Sequence, residues 1–405
     1  MTVFPASLAH KIRLEPTVEQ EIALQRAAGV ARFTWNWALN EWNTQFRFGG
    51  KPKATELKKQ FNSIKEAEFP WVYESPKDAN QQPFANLNTA FQRFFKKQAK
   101  RPTFKKRGQH DSFYVSNDKL SVEGKTVKLP VIGGVKMAEF LRFGGRILSA
   151  TVSKTADRWF ISFSVETGKG HARKPQRHQR EVLGVDLGLK TTVVCSDGIN
   201  YSAPKPLKQY LNKLQRQSKE HSRKQKGSNN RRKSAARLAR THARVANIRK
   251  DWTHKVTTEL AKKANLVVLE DLNVTGMLKN RRLSRAISDV SWSEFRRQIA
   301  YKVALYGGHV HFVHRFYPSS KTCNSCGNVK KELLLSEREY ICEACGVIED
   351  RDLNAAKNLE AVGYTVFDAC GQESSGLKTA NSNETYLVEA GTTPLSETHL
   401  HSQSG

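Results

Sequence analysis

The pattern of hydrophobic and polar positions changes its period along the second half of the chain. Apolar runs of strand length occur at 182–185, 191–195 and 266–269. Within 205–262, apolar residues recur instead with helical spacing on both sides of the turn-forming sequence KQKGSNN. The pattern therefore predicts sheet strands and a helical hairpin that separates the run at 191–195 from the run at 266–269.

The first part of the chain has a different pattern. An alternating segment, HKIRL, is followed by Thr17 and Gln20, whose spacing predicts a capping box at the start of a helix. Further helical and aromatic-rich segments reach residue 100, and short alternating segments with turns follow. We expect a small β-barrel with its first strand at 1–14, a helical insertion at 15–100 and its remaining strands at 101–166.

Composition narrows the class of partner. The chain has 67 Lys and Arg residues against 38 Asp and Glu, a formal net charge of +29, which favours a polyanion such as nucleic acid. It contains no run of 18 apolar residues, and its opening lacks the apolar core of a signal peptide. We therefore expect a cytoplasmic, nucleoid-associated protein of a prokaryotic cell with no membrane partner.

The positive charge is concentrated in the predicted hairpin. Between Lys205 and Lys250 there are sixteen Lys or Arg residues and one acid, Glu220. A solvated helix face is the ordinary explanation for a charge run, but such faces mix both signs because like charges repel. The near absence of acids favours contact with phosphates.

Four of the six cysteines form two paired motifs. Their spacing is C-x2-C-x15-C-x2-C, in which two tight turns each present two thiolates to one tetrahedral zinc ion. Two disulfides are the alternative. A site with four thiolates leaves no open coordination position, so this zinc would be structural. The predicted ligands are Cys323, Cys326, Cys342 and Cys345.

Three acids follow apolar strands or begin a helix. Asp186 ends the run at 182–185, Glu270 directly follows 266–269, and Asp352 lies near the start of an Ala-rich segment. Singly, they could be a turn residue, a surface strand end and a helix N-cap. Together, they form a set that can hold two Mg²⁺ or Mn²⁺ ions in an RNase H-like nuclease, because carboxylates suit these cations.

Several motifs, in order and spacing, resemble the RuvC-like nuclease of TnpB proteins, which are insertion-sequence-encoded relatives of type V CRISPR effectors. The resemblance extends over 180–363. It implies that Asp186, Glu270 and Asp352 are catalytic and bind magnesium, and that the four cysteines bind zinc. Asp352 is preferred over Asp350 because the D-x-N-x-A pattern of the family begins there. The motifs are GVDLGLKTT, VVLEDLNVTGM, FYPSSKTCNSCG with CEACG, and DRDLNAAKNL.

The resemblance also implies an α/β multidomain architecture. The expected fold is an RNase H-like (RuvC) nuclease with an inserted zinc ribbon, preceded by the β-barrel with its helical insertion. The predicted segments are a basic linker at 167–180, the nuclease at 181–320 with its hairpin at 205–262, the zinc ribbon at 321–348, the last nuclease helix at 349–363 and a disordered tail at 364–405.

The function implied by the resemblance is RNA-guided DNA cleavage for a transposable element. A guide RNA derived from the transposon end would pair with double-stranded target DNA next to a short flanking motif, and a monomeric protein would hydrolyse the DNA with two metal ions. Two alternatives stay open: a nuclease-inactive RNA-guided repressor, and an unguided DNA-binding protein or structure-specific resolvase.

Overall fold

The computed structural model describes residues 7–167, 180–334 and 336–372, and the chain divides into two compact units. One unit spans 7–167 and the other 180–372 within these ranges. Most of the predicted basic linker lies outside the described residues. Among the described helices, none combines the length and apolarity needed to cross a membrane.

The N-terminal unit contains a seven-stranded antiparallel sheet. Its strands are β1 Ser7–Glu15, β2 Ser112–Ser116, β3 Ser121–Glu123, β4 Thr126–Leu129, β5 Gly133–Met137, β6 Arg146–Thr155 and β7 Arg158–Glu166. The hydrogen-bonded order is β2-β6-β7-β1-β5-β4-β3. β2 and β3 stand at the two ends of this order. Closure of the sheet into a barrel therefore stays a prediction.

Three helices lie between β1 and β2 in the sequence. They are α1 Val18–Arg47, α2 Ala54–Glu68 and α3 Lys77–Phe95, with a short 3-10 helix at Pro70–Glu74. The predicted capping box is confirmed: the Gln20 N–H donates to Thr17 Oγ1 at 3.3 Å, and the Thr17 N–H donates to Gln20 Oε1 at 3.1 Å. Phe61 and Phe84, both buried, pack between these helices.

The C-terminal unit is built on a five-stranded mixed sheet. The order of the strands is β10-β9-β8-β11-β12. β9 is antiparallel to both β8 and β10, whereas β11 and β12 run parallel to β8. The predicted runs at 182–185 and 266–269 fall on β8 and β11, and the last three residues of the run at 191–195 form β9. The bounds are β8 Arg180–Asp186, β9 Val193–Cys195, β10 Asn200–Tyr201, β11 Ala264–Glu270 and β12 His309–Val313.

Helices cover both faces of this sheet. One face packs against a core that includes Leu260 and Phe295, and the other packs against Leu359. A separate two-stranded hairpin carries the second cysteine pair. The helices are α4 Pro206–Arg223, α5 Asn229–Lys263, α6 Val274–Met277, α7 Ser284–Val290, α8 Trp292–Leu305 and α9 Arg351–Gln372, and the hairpin strands are β13 Glu339–Ile341 and β14 Ile348–Asp350.

The last helix is longer than the sequence predicts. It continues to Gln372, so the predicted start of a disordered tail at 364 is wrong for 364–372. Gly363 lies inside the helix, where an added β-carbon would overlap the side chains of Val182 and Val268. This glycine permits close packing of α9 on the sheet and does not end the helix. The predicted tail beyond residue 372 lies outside the described residues.

Candidate active site and metal centre

Asp186 and Glu270 end two neighbouring parallel strands. Val185 of β8 is paired with Leu269 of β11, and the next residue on each strand is the acid. Because parallel strands place their carboxyl ends at one edge of a sheet, the two acids lie side by side there. Both residues are half-buried.

Helix α9 brings the third acid to this edge. Gly184 lies two residues before Asp186, and an added β-carbon there would overlap the carbonyl oxygen of Ala356 and crowd the backbone nitrogen of Glu360. The helix backbone thus lies directly on the strand. This contact places the first turn of α9, which contains Asp352, above the strand ends.

The negative charges of Glu270 and Asp352 both act on Asp186. Its pKa is raised to about 8, first by burial, then by the negative charge of Glu270, and then by that of Asp352. The backbone N–H of Leu187 and the positive charge of Arg351 oppose the rise. A divalent cation among the carboxylates would reverse this balance, because it favours the ionised form of each acid.

The carboxylates are spaced more widely than the ligands of a single compact site. Among the described residues, the four cysteines place their ligand atoms within 4.8 Å of one another. The three acids do not form a group as tight as this. The structure therefore brings Asp186, Glu270 and Asp352 into one electrostatic neighbourhood, without making them a compact cage. Asp352 also lies 4.0 Å from a guanidinium nitrogen of Arg338.

The four predicted zinc ligands do converge. The Sγ atoms of Cys323 and Cys345 are 3.7 Å apart, and those of Cys326 and Cys342 are 3.5 Å apart. Metal–sulfur bonds of about 2.3 Å in a tetrahedron give sulfur separations of about 3.8 Å, whereas a disulfide bond is about 2.05 Å long. All four cysteines are free, so the disulfide alternative is wrong and the cluster can hold zinc.

The two cysteine turns have the same backbone. The N–H of Gly327 donates to Cys323 O, and the N–H of Gly346 donates to Cys342 O, each at 3.0 Å. Both glycines are left-handed, with φ of 76° and 72°, a conformation that disfavours other residues. Backbone N–H groups, that of Cys345 first, lower the pKa of Cys342.

Two asparagines of α9 join this helix to the first cysteine turn, and sequence reasoning assigned a role to neither. Asn354 Oδ1 accepts the backbone N–H of Asn324 at 3.0 Å, and Asn354 Nδ2 donates to Thr322 O at 2.7 Å. One turn later, Asn358 Nδ2 donates to the same carbonyl at 2.6 Å. Their spacing of four residues in an Ala-rich segment was the available signal, and the structure shows that both are buried.

Some cations of the basic hairpin bond to other groups of the protein, and others line a groove. Arg231 Nη1 donates to the carbonyls of His221 and Lys224 at 3.1 and 2.7 Å, and it thereby closes the turn between α4 and α5. Arg249 pairs with the buried Asp289 at 3.0 Å. Other cations, by contrast, line an open groove of about 680 Å³ along α4. These groove cations are Arg216, Lys219, Arg223 and Lys224.

Comparisons with known proteins first define a class. Family models match residues 161–281 ("Probable transposase"), 292–359 ("Cas12f1-like, TNB domain") and 1–51 ("Helix-turn-helix domain"). The chain in "Cryo-EM structure of the Cas12f1-sgRNA-target DNA complex" aligns with a TM-score of 0.51 and 16% identity, over 84% of this chain and 83% of that one. At this identity the likeness concerns the fold alone, which is that of the RuvC-containing Cas12 effectors.

Two curated relatives identify the family to which the chain belongs. The chain is 33% identical to "Putative RNA-guided DNA endonuclease InsQ" of Escherichia coli (strain K12), over 94% of this chain and 98% of the relative. It is 34% identical to "Putative RNA-guided DNA endonuclease" of Streptomyces pristinaespiralis, over 90% of each. The chain belongs to the TnpB family, as its motifs indicated.

Proposed function

We propose that this chain is an RNA-guided DNA endonuclease of a transposable element. The observation that carries the proposal is the meeting of Asp186 and Glu270 at the ends of paired parallel strands, with Asp352 near enough to raise the pKa of Asp186. Homologues named as RNA-guided DNA endonucleases support the choice of substrate and guide. The reaction is hydrolysis of phosphodiester bonds in DNA that has paired with the guide.

Asp186, Glu270 and Asp352 hold the divalent cations in this proposal. Their oxygen donors suit Mg²⁺ or Mn²⁺, and the crowded negative charge at Asp186 is what a cation would neutralise. We assign two ions to these acids, by analogy with two-metal sites, in which the ions lie roughly 3.5 to 4 Å apart. When bound, such ions activate water and stabilise the leaving oxygen of an in-line displacement.

The four cysteines hold one structural zinc ion in this scheme. A site with four thiolates has no position for water or substrate, so its role is to fix the turns that contact α9. Through Asn324 and Asn354, those turns help to set the position of the helix that carries Asp352.

The guide RNA binds the basic surfaces. We assign phosphate contacts to the groove cations of α4. We assign further RNA binding and recognition of the flanking DNA motif to the N-terminal sheet with its helical insertion. Base pairing between guide and target then supplies most of the sequence specificity. One copy of the chain is expected in each complex.

Cleavage by a matched pair of variants tests the proposal. The chain is expressed with the RNA encoded beside its gene, and the purified complex is incubated with matching DNA and Mg²⁺. Asp186→Ala should abolish cleavage and keep RNA and DNA binding, because it removes a metal ligand and leaves the basic surfaces intact. Asp251→Asn, a change at an exposed acid of α5, should cleave like the wild type.

The other readings of the chain give different results in the same assay. Full cleavage by Asp186→Ala would remove this acid from the mechanism. Equal cleavage by protein freed of RNA would identify an unguided resolvase, whereas guided binding without cleavage by the wild type would identify a repressor.

A further inference from the structure

Ser319, which lies within the FYPSSKTCNSCG motif, contacts one of the three acids. It belongs to the segment between β12 and the first cysteine turn, and it is 2% exposed. Its hydroxyl donates to Oε1 of Glu270. The segment reaches this point because Val313, the last residue of β12, is paired with Glu270.

The backbone of Ser319 is fixed by its neighbours. Its N–H donates to Tyr317 O at 2.9 Å, and its carbonyl accepts from Asn358 Nδ2 at 2.8 Å. Asn358 is itself buried on α9 and also donates to Thr322 O, one residue before the cysteine turn. The hydroxyl is therefore held in place both by α9 and by the segment that enters the cysteine cluster.

We infer that Ser319 is a positioning residue for Glu270, fixing the orientation in which this carboxylate meets a divalent cation. The inference rests on the proposed function, in which Glu270 is a metal ligand. A glutamate at a strand end has three rotatable side-chain bonds, and the buried Ser319 hydroxyl on Oε1 restricts them. Loss of such an outer partner typically weakens metal affinity or activity by about 10- to 100-fold.

The first test measures metal binding without activity. Mn²⁺ is titrated into the purified, zinc-loaded full chain without RNA, and free Mn²⁺ is followed by electron paramagnetic resonance. Asp186→Ala defines which part of the bound Mn²⁺ belongs to the acidic site. Ser319→Ala should raise the midpoint of that part by about 10-fold or more. Ser320→Ala, at the adjacent partly exposed serine, should match the wild type.

The second test uses the complex with RNA. The Mg²⁺ concentration that gives half-maximal DNA cleavage should rise in Ser319→Ala by a factor similar to that found with Mn²⁺. The zinc content and RNA affinity of the variant should equal those of the wild type, because the hydroxyl contacts neither zinc ligand nor RNA-binding groove in this assignment.

Each outcome supports or overturns a separate statement. An unchanged metal midpoint in Ser319→Ala would overturn the role of Ser319 while leaving the proposed function intact. Loss of zinc or RNA from that variant would make Ser319 a structural residue and also overturn the inference. If the wild type and Asp186→Ala bind Mn²⁺ equally, the acidic metal site itself, and with it the proposed function, would fail.

Discussion

Asp350 caps the helix turn that contains Asp352: its Oδ1 accepts the backbone N–H of Asp352 at 2.9 Å. The same oxygen accepts the N–H of Leu353 at 3.0 Å. These are the bonds of a helix N-cap, so the capping role that was open for Asp352 belongs to Asp350. The carboxylate of Asp352 acts instead on Asp186, whose pKa it raises. Two acids in one short motif thus have separate roles.

Substitution of the two acids should separate stability from cleavage. Asp352→Asn should abolish DNA cleavage with little change in thermal unfolding, because it removes a charge from the site and keeps the helix cap. Asp350→Ala should lower the free energy of unfolding by about 1 kcal/mol, the usual loss for an N-cap, while cleavage at permissive temperature persists. Differential scanning fluorimetry and a DNA cleavage assay measure the two effects.

The reverse result is equally informative. If Asp350→Ala stopped cleavage in a folded protein and Asp352→Asn cleaved normally, the third catalytic acid would be Asp350. Asp350→Asn provides the control, because asparagine is also a good N-cap and should restore stability.

The cysteine cluster should bind one zinc ion per chain. Cys342→Ser should lose that ion and destabilise the C-terminal unit, because metal binding and folding are coupled at such sites. Cys195→Ala is a matched control: Cys195 is buried in β9, away from the cluster, and its substitution should leave zinc at one equivalent. Elemental analysis of the purified chains measures the stoichiometry. Retention of a full equivalent by Cys342→Ser would contradict the ligand assignment.

The groove cations of α4 should govern the salt dependence of RNA binding. Replacing Arg216, Lys219 and Arg223 by Gln should weaken binding at low salt and reduce the slope of log affinity against log salt by up to about two, at about 0.7 per single-strand phosphate contact. The slope follows from filter binding or fluorescence anisotropy at several salt concentrations.

Arg231 is the control for the hairpin because it bonds to the turn carbonyls. Arg231→Gln should lower thermal stability through loss of the bonds to His221 and Lys224, and it should leave the salt slope near that of the wild type. A triple variant with an unchanged slope would make the α4 cations an ordinary solvated face.

The sequence predicted those parts of the site that local patterns encode. Apolar runs bounded by Asp186 and Glu270 identified two strand ends, and cysteine spacing identified the metal cluster. By contrast, the roles of Ser319 and Asn358 depend on contacts between segments distant in sequence, which local patterns do not encode. The true end of α9 was missed for the same reason, since Gly363 is required by the sheet beneath the helix.

Gly184 shows how strongly the site depends on one close approach. Gly184→Ala should destabilise the C-terminal unit by about 3 kcal/mol or more, because the added methyl would meet the backbone of α9 at Ala356, and backbone cannot move aside as a flexible side chain can. Any folded fraction should cleave slowly, since displacement of α9 moves Asp352 away from Asp186. Gly144→Ala is the control, because an added β-carbon there has open space and its stability should change by no more than about 0.5 kcal/mol. Thermal unfolding and single-turnover cleavage are measured for both variants. If Gly184→Ala were as stable as the wild type, α9 would not lie on β8 as closely as this structure places it.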